Sequence, residues 1–200
     1  MNDEFLILNI REYLKQGESG ENILKQIFST FSCSKNLDVE RFLREQAINF
    51  TKKNQSVTYV VLSPEEGQIL GYFTITIKPI SVNADYFSNT VKRKIARVSE
   101  QNEDSGNYSL SAYLIAQLGR NFENDLKGTI TGQELLELAF EKIRELQYMA
   151  GGMVVFLEAE ENEKLMDFYE KKNGFKRFNT KETKSAMAGT HTLIQLLKVL

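Results

Sequence analysis

The chain has 200 residues and a mass of 23.0 kDa, with 42% hydrophobic residues, 26% charged residues and two prolines. This length supports one domain with a substantial core, and the composition excludes a collagen-like, low-complexity or mostly disordered chain. The net charge of −2 and the pI near 5.7 indicate no overall attraction to nucleic acid.

The cysteine and histidine content argues against an internal disulfide and against a zinc site. One cysteine, Cys33, cannot form an internal disulfide, and one histidine, His191, cannot build a zinc site with it alone. The sequence starts Met-Asn-Asp-Glu, where a secretory signal would carry basic residues. The longest aliphatic and aromatic run, at 153–157, is far shorter than the ~20 residues of a membrane helix. We therefore expect a cytoplasmic protein without a membrane segment.

The first half of the sequence predicts a strand, two helices and a hairpin. Apolar residues recur every three or four positions after Asp38, which is a suitable helix cap, and a β-branched run ends at Ser-Pro-Glu-Glu-Gly, a turn sequence. The predicted elements are a strand at 5–10, a helix at 21–31, a helix from Asp38 to Phe50, and strands at 56–62 and 69–78.

The second half predicts an insertion followed by alternating strands and helices. Residues 79–107 lack a regular pattern, so we expect one domain over 1–200 with an insertion at about 79–107 that contains one short helix. Thr131 and Glu134 form a capping box at the start of a long amphipathic helix. The other predicted elements are strands at 108–118, 153–159, 175–178 and 192–199 and a helix at 163–172.

The segment NEKLMDFYEKKNGF at 162–175 is the most specific motif in the chain. Asn162 lies seven residues before Tyr169, and a Gly-Phe pair follows. Together with GYF at 71–73 and QLGR at 117–120, this segment resembles the GNAT superfamily of acetyl-CoA-dependent N-acetyltransferases. It is most similar to the branch that includes toxin-type members acting on aminoacyl-tRNA.

The resemblance implies a mixed α/β fold, acetyl-CoA as the acyl donor and no metal. The expected sheet is central and mostly antiparallel, with six to seven strands, about four flanking helices and a splayed parallel pair in the middle. A strand that ends early at 118–120 would leave backbone groups for the pantetheine arm, and free N–H groups at a helix start suit a pyrophosphate. The candidate cofactor-binding residues are Leu118, Gly119, Arg120, Lys127, Gly128, Thr129, Ile130, Thr131, Gly132, Gln133 and Asn162.

The candidate phosphate loop departs from the family pattern. The family reads Gln/Arg-x-x-Gly-x-Gly/Ala, and the best alignment here is KGTITG at 127–132. Ile130 stands where the first glycine belongs and cannot easily adopt a positive φ. Glu134, if it folds over the helix start, would compete with phosphate. The departure predicts weaker cofactor binding on an unchanged fold.

The resemblance also implies a mechanism, in which a neutral amine attacks the thioester directly. Backbone N–H groups near Gly119 and Arg120 would stabilise the developing oxyanion. Tyr169 is the candidate catalytic residue, as a hydrogen-bond donor to the departing sulfur, because an ordinary tyrosine pKa of ~10 exceeds the ~8.5 of a thiol. The strand at 109–118 carries no carboxylate base, so Glu158, water and the substrate amine are the alternatives.

Three functions and several structural alternatives stay open on the sequence. The main hypothesis is acetyl transfer to a primary amine that the sequence does not identify. The second is toxin-like acetylation of aminoacyl-tRNA, and the third is a non-catalytic acyl-CoA-binding module. In each case we expect a monomer or a homodimer. Tyr169 could instead be a core residue, Asn162 and the Thr131/Glu134 pair could be helix caps, and the cations could be a solvated helix face. The residues that would bind tRNA are Lys92, Arg93, Lys94 and Arg97.

Overall fold

The computed structural model describes residues 5–97, 99–123, 129–185 and 189–200. The strands are β1 (Leu6–Asn9), β2 (Val57–Leu62), β3 (Ile69–Asn83), β4 (Asn107–Arg120), β5 (Val154–Glu160), β6 (Lys176–Ser185) and β7 (Gly189–Val199). The helices are α1 (Ile10–Leu14), α2 (Glu18–Ser29), α3 (Leu37–Arg41), α4 (Ala47–Lys52), α5 (Asn89–Ile95), α6 (Gly132–Ala150) and α7 (Glu163–Met166). The described residues also form three short helical turns: π-helical turns at Phe42–Gln46 and Asp167–Lys172, and a 3₁₀ turn at Ala84–Tyr86.

The strands form one seven-stranded sheet in the order β1-β2-β3-β4-β5-β7-β6. The pairing of β4 with β5 is parallel, whereas β1 with β2, β2 with β3, β5 with β7 and β6 with β7 are antiparallel. The mixed α/β fold with a mostly antiparallel sheet and a central parallel pair is therefore confirmed. None of the described helices combines the length and the apolar composition that a membrane span requires.

The chain divides into two compact units, which we describe separately. The first unit consists of Met1–Thr76 and Ala116–Glu145, and the second of Ile77–Ile115 and Leu146–Leu200. The strands β3 and β4 each contribute residues to both units.

In the first unit, the helices between β1 and β2 pack over the hairpin of β2 and β3. Its core consists of fully buried side chains that include Phe28, Phe31, Leu43 and Tyr72, and the rings of Phe31 and Tyr72 meet edge to face at 5.2 Å. The predicted hairpin is confirmed: Gly67 adopts a φ of +65° in its turn, where a glycine is favoured.

Two features of this unit differ from the sequence expectation. Asn36, not Asp38, caps the second predicted helix, because its Oδ1 accepts hydrogen bonds from the N–H groups of Asp38 (3.1 Å) and Val39 (3.2 Å). The short helix α1 was not predicted, since five residues are too few to show a helical period. Gly20 allows α2 to approach it, because a Cβ there would lie 1.8 Å from the Tyr13 carbonyl oxygen.

In the second unit, β5, β6 and β7 form an antiparallel ribbon, and β4 joins it through β5. The core contains buried residues that include Ile80, Val82, Phe156 and Phe178. The strand β3 continues to Asn83, beyond its predicted end at 78, because buried Ile80 and Val82 alternate with exposed neighbours.

The last hairpin is also longer than the sequence indicates. β6 extends to Ser185, where a short strand at 175–178 was predicted, and β7 begins at Gly189 within the predicted loop. The register pairs Lys181 with Leu193 and Ser185 with Gly189. Because β6 lies at the edge of the sheet, its polar sequence carries no alternating hydrophobic pattern by which it could be recognised.

An ion-pair network on the first unit makes a stability prediction. Glu21 in α2 contacts Lys52 (2.9 Å) and Lys25 (2.9 Å). These hydrogen bonds lower the pKa of its carboxyl group to about 2, and the bond from Lys52 has the larger effect. Because the pKa of Glu21 is lower in the folded state than its ordinary value of 4.5, the charged carboxylate stabilises the fold fully when the pH is above 4.5. This contribution is lost as the pH falls through about 2.

We expect Glu21→Gln to lower the urea midpoint of unfolding at pH 7, and the difference from the wild type to narrow as the pH falls from 4.5 towards 2. Glu18→Gln in the same first turn is the control, because Glu18 has no ion pair with a described residue. Equal shifts for the two variants would contradict the ion-pair account.

Candidate active site

Tyr169 lies in the second unit, in the π-helical turn Asp167–Lys172 that continues α7. Its side chain is 9% exposed, and its ring meets Phe168 at 5.0 Å and Phe175 at 5.8 Å, both edge to face. Burial raises its pKa to about 12. Among the described residues, no side chain or backbone group forms a hydrogen bond with its hydroxyl group. The hydroxyl is therefore protonated at neutral pH and available to donate to a ligand.

The helix that carries Tyr169 is fixed at both ends by its own sequence motif. The Oδ1 of Asn162 accepts a hydrogen bond from the N–H of Lys164 (3.0 Å), which makes Asn162 the N-cap of α7. Gly174 ends the helix with a φ of +69°, a backbone conformation that residues with a Cβ rarely adopt. Asn162 therefore caps the helix, which was the structural alternative to a role in cofactor binding. Its contact with a cofactor stays a prediction.

The end of β4 lies in the first unit and contains three candidate residues. At Gly119, a Cβ would lie 2.4 Å from Val39 Cγ1, 3.2 Å from Tyr72 Cε1 and 3.3 Å from Phe31 Cζ. Core side chains therefore fill the space on that side of the strand, and the glycine is required for packing there. The neighbouring Leu118 is half-buried.

GYF at 71–73, part of the family resemblance, lies on the adjacent strand β3 and is buried throughout. A Cβ at Gly71 would lie 2.9 Å from the carbonyl oxygen of Gly119, so the glycine at 71 allows a close approach of the two backbones. The Tyr72 hydroxyl donates to the Val39 carbonyl oxygen (2.6 Å), and burial raises the pKa of Tyr72 well above its ordinary value. Tyr72 is therefore a structural residue.

Arg120 links the end of β4 to the segment that precedes α6. Its Nη1 donates to the carbonyl oxygen of Ile130 (2.9 Å), and its guanidinium group lies over the ring of Phe122 at 5.1 Å. Lys35 contacts the same ring at 4.7 Å. Two cations therefore lie close to this strand end.

The start of α6 is capped by side chains of the chain itself. Thr131 Oγ1 accepts from the N–H of Glu134 (3.1 Å), and the Glu134 carboxylate accepts from the N–H of Thr131 (2.6 Å). Hydrogen bonds to its carboxylate, first from the Thr131 side chain and then from the Thr131 N–H, lower the pKa of Glu134, so a negative charge occupies the helix start at neutral pH. Ile130 is buried and does not adopt a positive φ. The predicted capping box is confirmed, and the Glu134 carboxylate lies over the helix start, where it would compete with a phosphate group.

The remaining candidates of the phosphate loop have separate positions. Thr129 is exposed, Gly132 is the first residue of α6, and Gln133 donates from Nε2 to Glu137 Oε1 (3.2 Å). Lys127 and Gly128 lie outside the described residues. The structure thus brings Arg120, Ile130 and Thr131 together in the first unit, while Asn162 and Tyr169 belong to the second.

Glu158, the nearest carboxylate alternative for a base, is held in an ion pair. Its oxygens contact Lys181 Nζ at 2.8 and 3.0 Å, and Gln195 Nε2 donates to its Oε1 at 2.8 Å. These partners lie on β6 and β7, so the carboxylate is engaged within the ribbon. Within the described part of the chain, no three His, Cys, Asp or Glu side chains converge as a set of metal ligands.

Sequence reasoning did not identify Asn121, a buried residue directly after β4. Its Oδ1 accepts from the N–H groups of Ser32 (3.0 Å) and Glu123 (3.1 Å), and its Nδ2 donates to the carbonyl oxygens of Ile69 (2.9 Å) and Thr30 (3.2 Å). These bonds fix the exit of β4, where the candidate loop begins. All partners but one are distant in sequence, so no local pattern announces this role.

Comparison with known proteins supports the fold and leaves the activity to be proposed. No protein-family model and no curated protein sequence matches this chain. AtaT complexed with acetyl-methionyl-tRNAfMet is 17% identical, with 96% of this chain and 94% of that chain covered and a TM-score of 0.62. A KacT variant with a tyrosine replaced by phenylalanine is 16% identical, with coverage of 98% and 95% and a TM-score of 0.65. AtaTR bound with acetyl-CoA is 16% identical, with coverage of 98% and 94% and a TM-score of 0.58. At these identities the likeness shows that the chain has the fold of GNAT toxins.

Proposed function

We propose that this chain is a GNAT-type N-acetyltransferase that transfers the acetyl group of acetyl-CoA to a primary amine by direct attack. The buried, protonated Tyr169 hydroxyl, which has no hydrogen-bond partner among the described residues, carries the proposal. Its place in the motif at 162–175 and the fold shared with AtaTR bound to acetyl-CoA support the same function. A cytoplasmic location, a monomeric or homodimeric state and a reaction without metal are parts of this proposal.

Tyr169 acts in this proposal as a hydrogen-bond donor that keeps its proton. Acetyl-CoA, when bound, supplies an acetyl group activated as a thioester. With a pKa of about 12, Tyr169 would lose its proton to a thiolate of pKa ~8.5 only at a cost of about 5 kcal/mol. Its O–H instead stabilises the negative charge that develops on sulfur, and its buried surroundings strengthen that bond. Lys181 engages the Glu158 carboxylate, and we propose that the amine arrives neutral and releases its proton to water.

The residues proposed to hold the diphosphate are those at the start of α6, together with Lys127, Gly128 and the nearby guanidinium of Arg120. Backbone N–H groups at a helix start and a cation are the groups that suit a phosphate. The carboxylate of Glu134 already accepts from the N–H of Thr131, so the cofactor has to compete with it. We therefore propose weak binding of acetyl-CoA.

Aminoacyl-tRNA is the second candidate acceptor, and the cations of α5 favour it. Arg93, Lys94 and Arg97 are exposed and form no ion pair with a described residue, while Lys92 lies 3.8 Å from Asp85. Arg93 and Lys94 lie on α5 and Arg97 lies two residues beyond its end, and such a group of cations suits the phosphates of a polyanion. AtaT, which has the same fold, has been solved with acetyl-methionyl-tRNAfMet.

Replacement of the catalytic hydroxyl is the most direct test. We expect Tyr169→Phe to lower kcat about a hundredfold to a thousandfold, because one donor to the developing charge is lost, with the acetyl-CoA Kd unchanged. Thiol release against a panel of amines and aminoacyl-tRNA measures kcat, and calorimetry measures Kd. Tyr148→Phe, at a side chain that is 92% exposed, is the matched control and should behave as the wild type.

An unchanged kcat in Tyr169→Phe would contradict the proposed role. Acetyl-CoA binding by the wild type, with no thiol release for any acceptor, would instead favour the acyl-CoA-binding module.

Removal of the carboxylate charge at the start of α6 tests the competition with phosphate. We expect Glu134→Gln to bind acetyl-CoA about two- to fivefold more tightly, since a negative charge at a helix N-terminus is worth a fraction of a kcal/mol to about 1 kcal/mol. The wild type should approach the variant as the pH falls through the lowered pKa of Glu134, where the charge is lost. Glu141→Gln on the same helix is the control, and an equal gain there would refute the local explanation.

Charge reversal on α5 tests the tRNA acceptor. We expect Lys92→Glu/Arg93→Glu/Lys94→Glu to abolish salt-sensitive binding of aminoacyl-tRNA, because each lost phosphate contact weakens affinity and flattens its dependence on salt. Filter binding at several salt concentrations measures both quantities. Transfer to a small amine should be unaffected.

The matched control reverses three exposed cations of the first unit, Lys15, Lys53 and Arg144. If both triple variants lose tRNA binding equally, net charge rather than α5 is responsible.

A further inference from the structure

The helix that carries Tyr169 changes type along its length. It is α-helical over α7 and widens into a π-helical turn at Asp167–Lys172. A π-helical turn is rare and is often found at functional sites. Because the turn contains Tyr169, whatever holds it open also determines the direction in which the Tyr169 ring points.

The side chain of Asn173 holds this turn open. Its Nδ2 donates to the carbonyl oxygen of Phe168 at 2.8 Å. That carbonyl lies five residues earlier, which is the span of a π-helical backbone hydrogen bond. Asn173 is 6% exposed, so the bond forms away from bulk water, where loss of the donor is most costly.

The next two carbonyl groups of the turn are also satisfied. The N–H of Phe175 donates to the carbonyl oxygen of Tyr169 (3.0 Å), and the N–H of Gly174 donates to that of Glu170 (3.1 Å). Three successive carbonyl groups at the end of the helix therefore have a donor each. Of these three bonds, only the one to Phe168 comes from a side chain, so it is the one that a substitution can remove.

A second contact fixes the same turn from outside. Arg177 on β6 donates from Nε to Glu170 Oε1 (2.9 Å) and from Nη1 to Glu161 Oε1 (2.6 Å). These groups are at the surface, where ion pairs contribute little. The buried amide of Asn173 is therefore the stronger constraint on the turn.

We propose that Asn173 is a positioning residue for acetyl transfer, whose side-chain amide keeps the π-helical turn in the register that presents the Tyr169 hydroxyl. The inference rests on the proposed function. Rewinding of the turn by one residue would rotate Tyr169 by about 100° around the helix axis. A misplacement of 1 Å can already lower a rate about a hundredfold.

The experiment compares Asn173→Ala in two backgrounds, the wild type and Tyr169→Phe. If Asn173 acts through Tyr169, the substitution lowers kcat about tenfold to a hundredfold in the wild type, leaves the acetyl-CoA Kd within about twofold, and has no further effect in Tyr169→Phe. Asn179→Ala, at an exposed residue of β6, is the control. Asn173→Ser provides a milder variant if Asn173→Ala does not unfold cooperatively in urea.

A readout without turnover uses isotope-labelled tyrosine in NMR. The resonance absent from Tyr169→Phe belongs to Tyr169, and in the wild type it should titrate at about 12. In Asn173→Ala it should shift and titrate closer to 10, as the ring becomes more exposed.

Each result decides. Equal falls of kcat in the two backgrounds, or an unchanged kcat and Tyr169 resonance, overturn the positioning role. A wild type that transfers no acetyl group to any acceptor overturns the proposed function, and the Tyr169 resonance then decides whether Asn173 orients the ring.

Discussion

Desolvation of the Tyr169 hydroxyl determines what chemistry the helix after β5 can perform. The aromatic contacts that bury the ring raise its pKa to about 12, so the group can donate a hydrogen bond but is a poor acid and no base at neutral pH. The cap at Asn162 and the hydrogen bond from Asn173 to the Phe168 carbonyl oxygen order the helix that carries this group.

At the start of α6, the backbone N–H groups of Thr131 and Glu134 are bonded within the chain and are not left free for a ligand. A phosphate-binding helix start normally leaves its N–H groups free and uses glycine to let the backbone approach the ligand. Here Thr131 and Glu134 satisfy each other, and the buried side chain of Ile130 and its carbonyl bond from Arg120 fix the preceding segment. These contacts order the helix start in the absence of a ligand. In the proposed site the same carboxylate would repel a diphosphate, so the bonds that order this helix start would weaken binding of the cofactor.

The sequence predicts those parts of the fold that depend on local pattern. The hairpin of β2 and β3, the helix α6 with its capping box and the parallel strand β5 all follow from spacing and turn residues. The polar edge strand β6 was underestimated because its pairing with β7, not its composition, makes it a strand. The role of Asn121 and the packing around Gly119 were missed for a related reason: the atoms that contact these residues come from positions far away in the sequence. At the candidate site, the motif located Tyr169, whereas the π-helical turn that presents it had no recognisable pattern.

The distribution of charge bears on the acceptor more than the net charge does. Elsewhere in the described chain, many cations are neutralised by neighbours on the same helix, among them the pairs Lys15–Glu12, Lys25–Glu21, Arg41–Glu45, Arg44–Glu40 and Lys171–Asp167. On α5, Arg93 and Lys94 have no such acidic neighbour. At physiological salt, charges more than about 8 Å apart are largely screened, so a polyanion close to α5 experiences the unpaired cations and little of the acidic remainder. A net charge of −2 is therefore compatible with a nucleic-acid substrate, provided that the substrate approaches this helix.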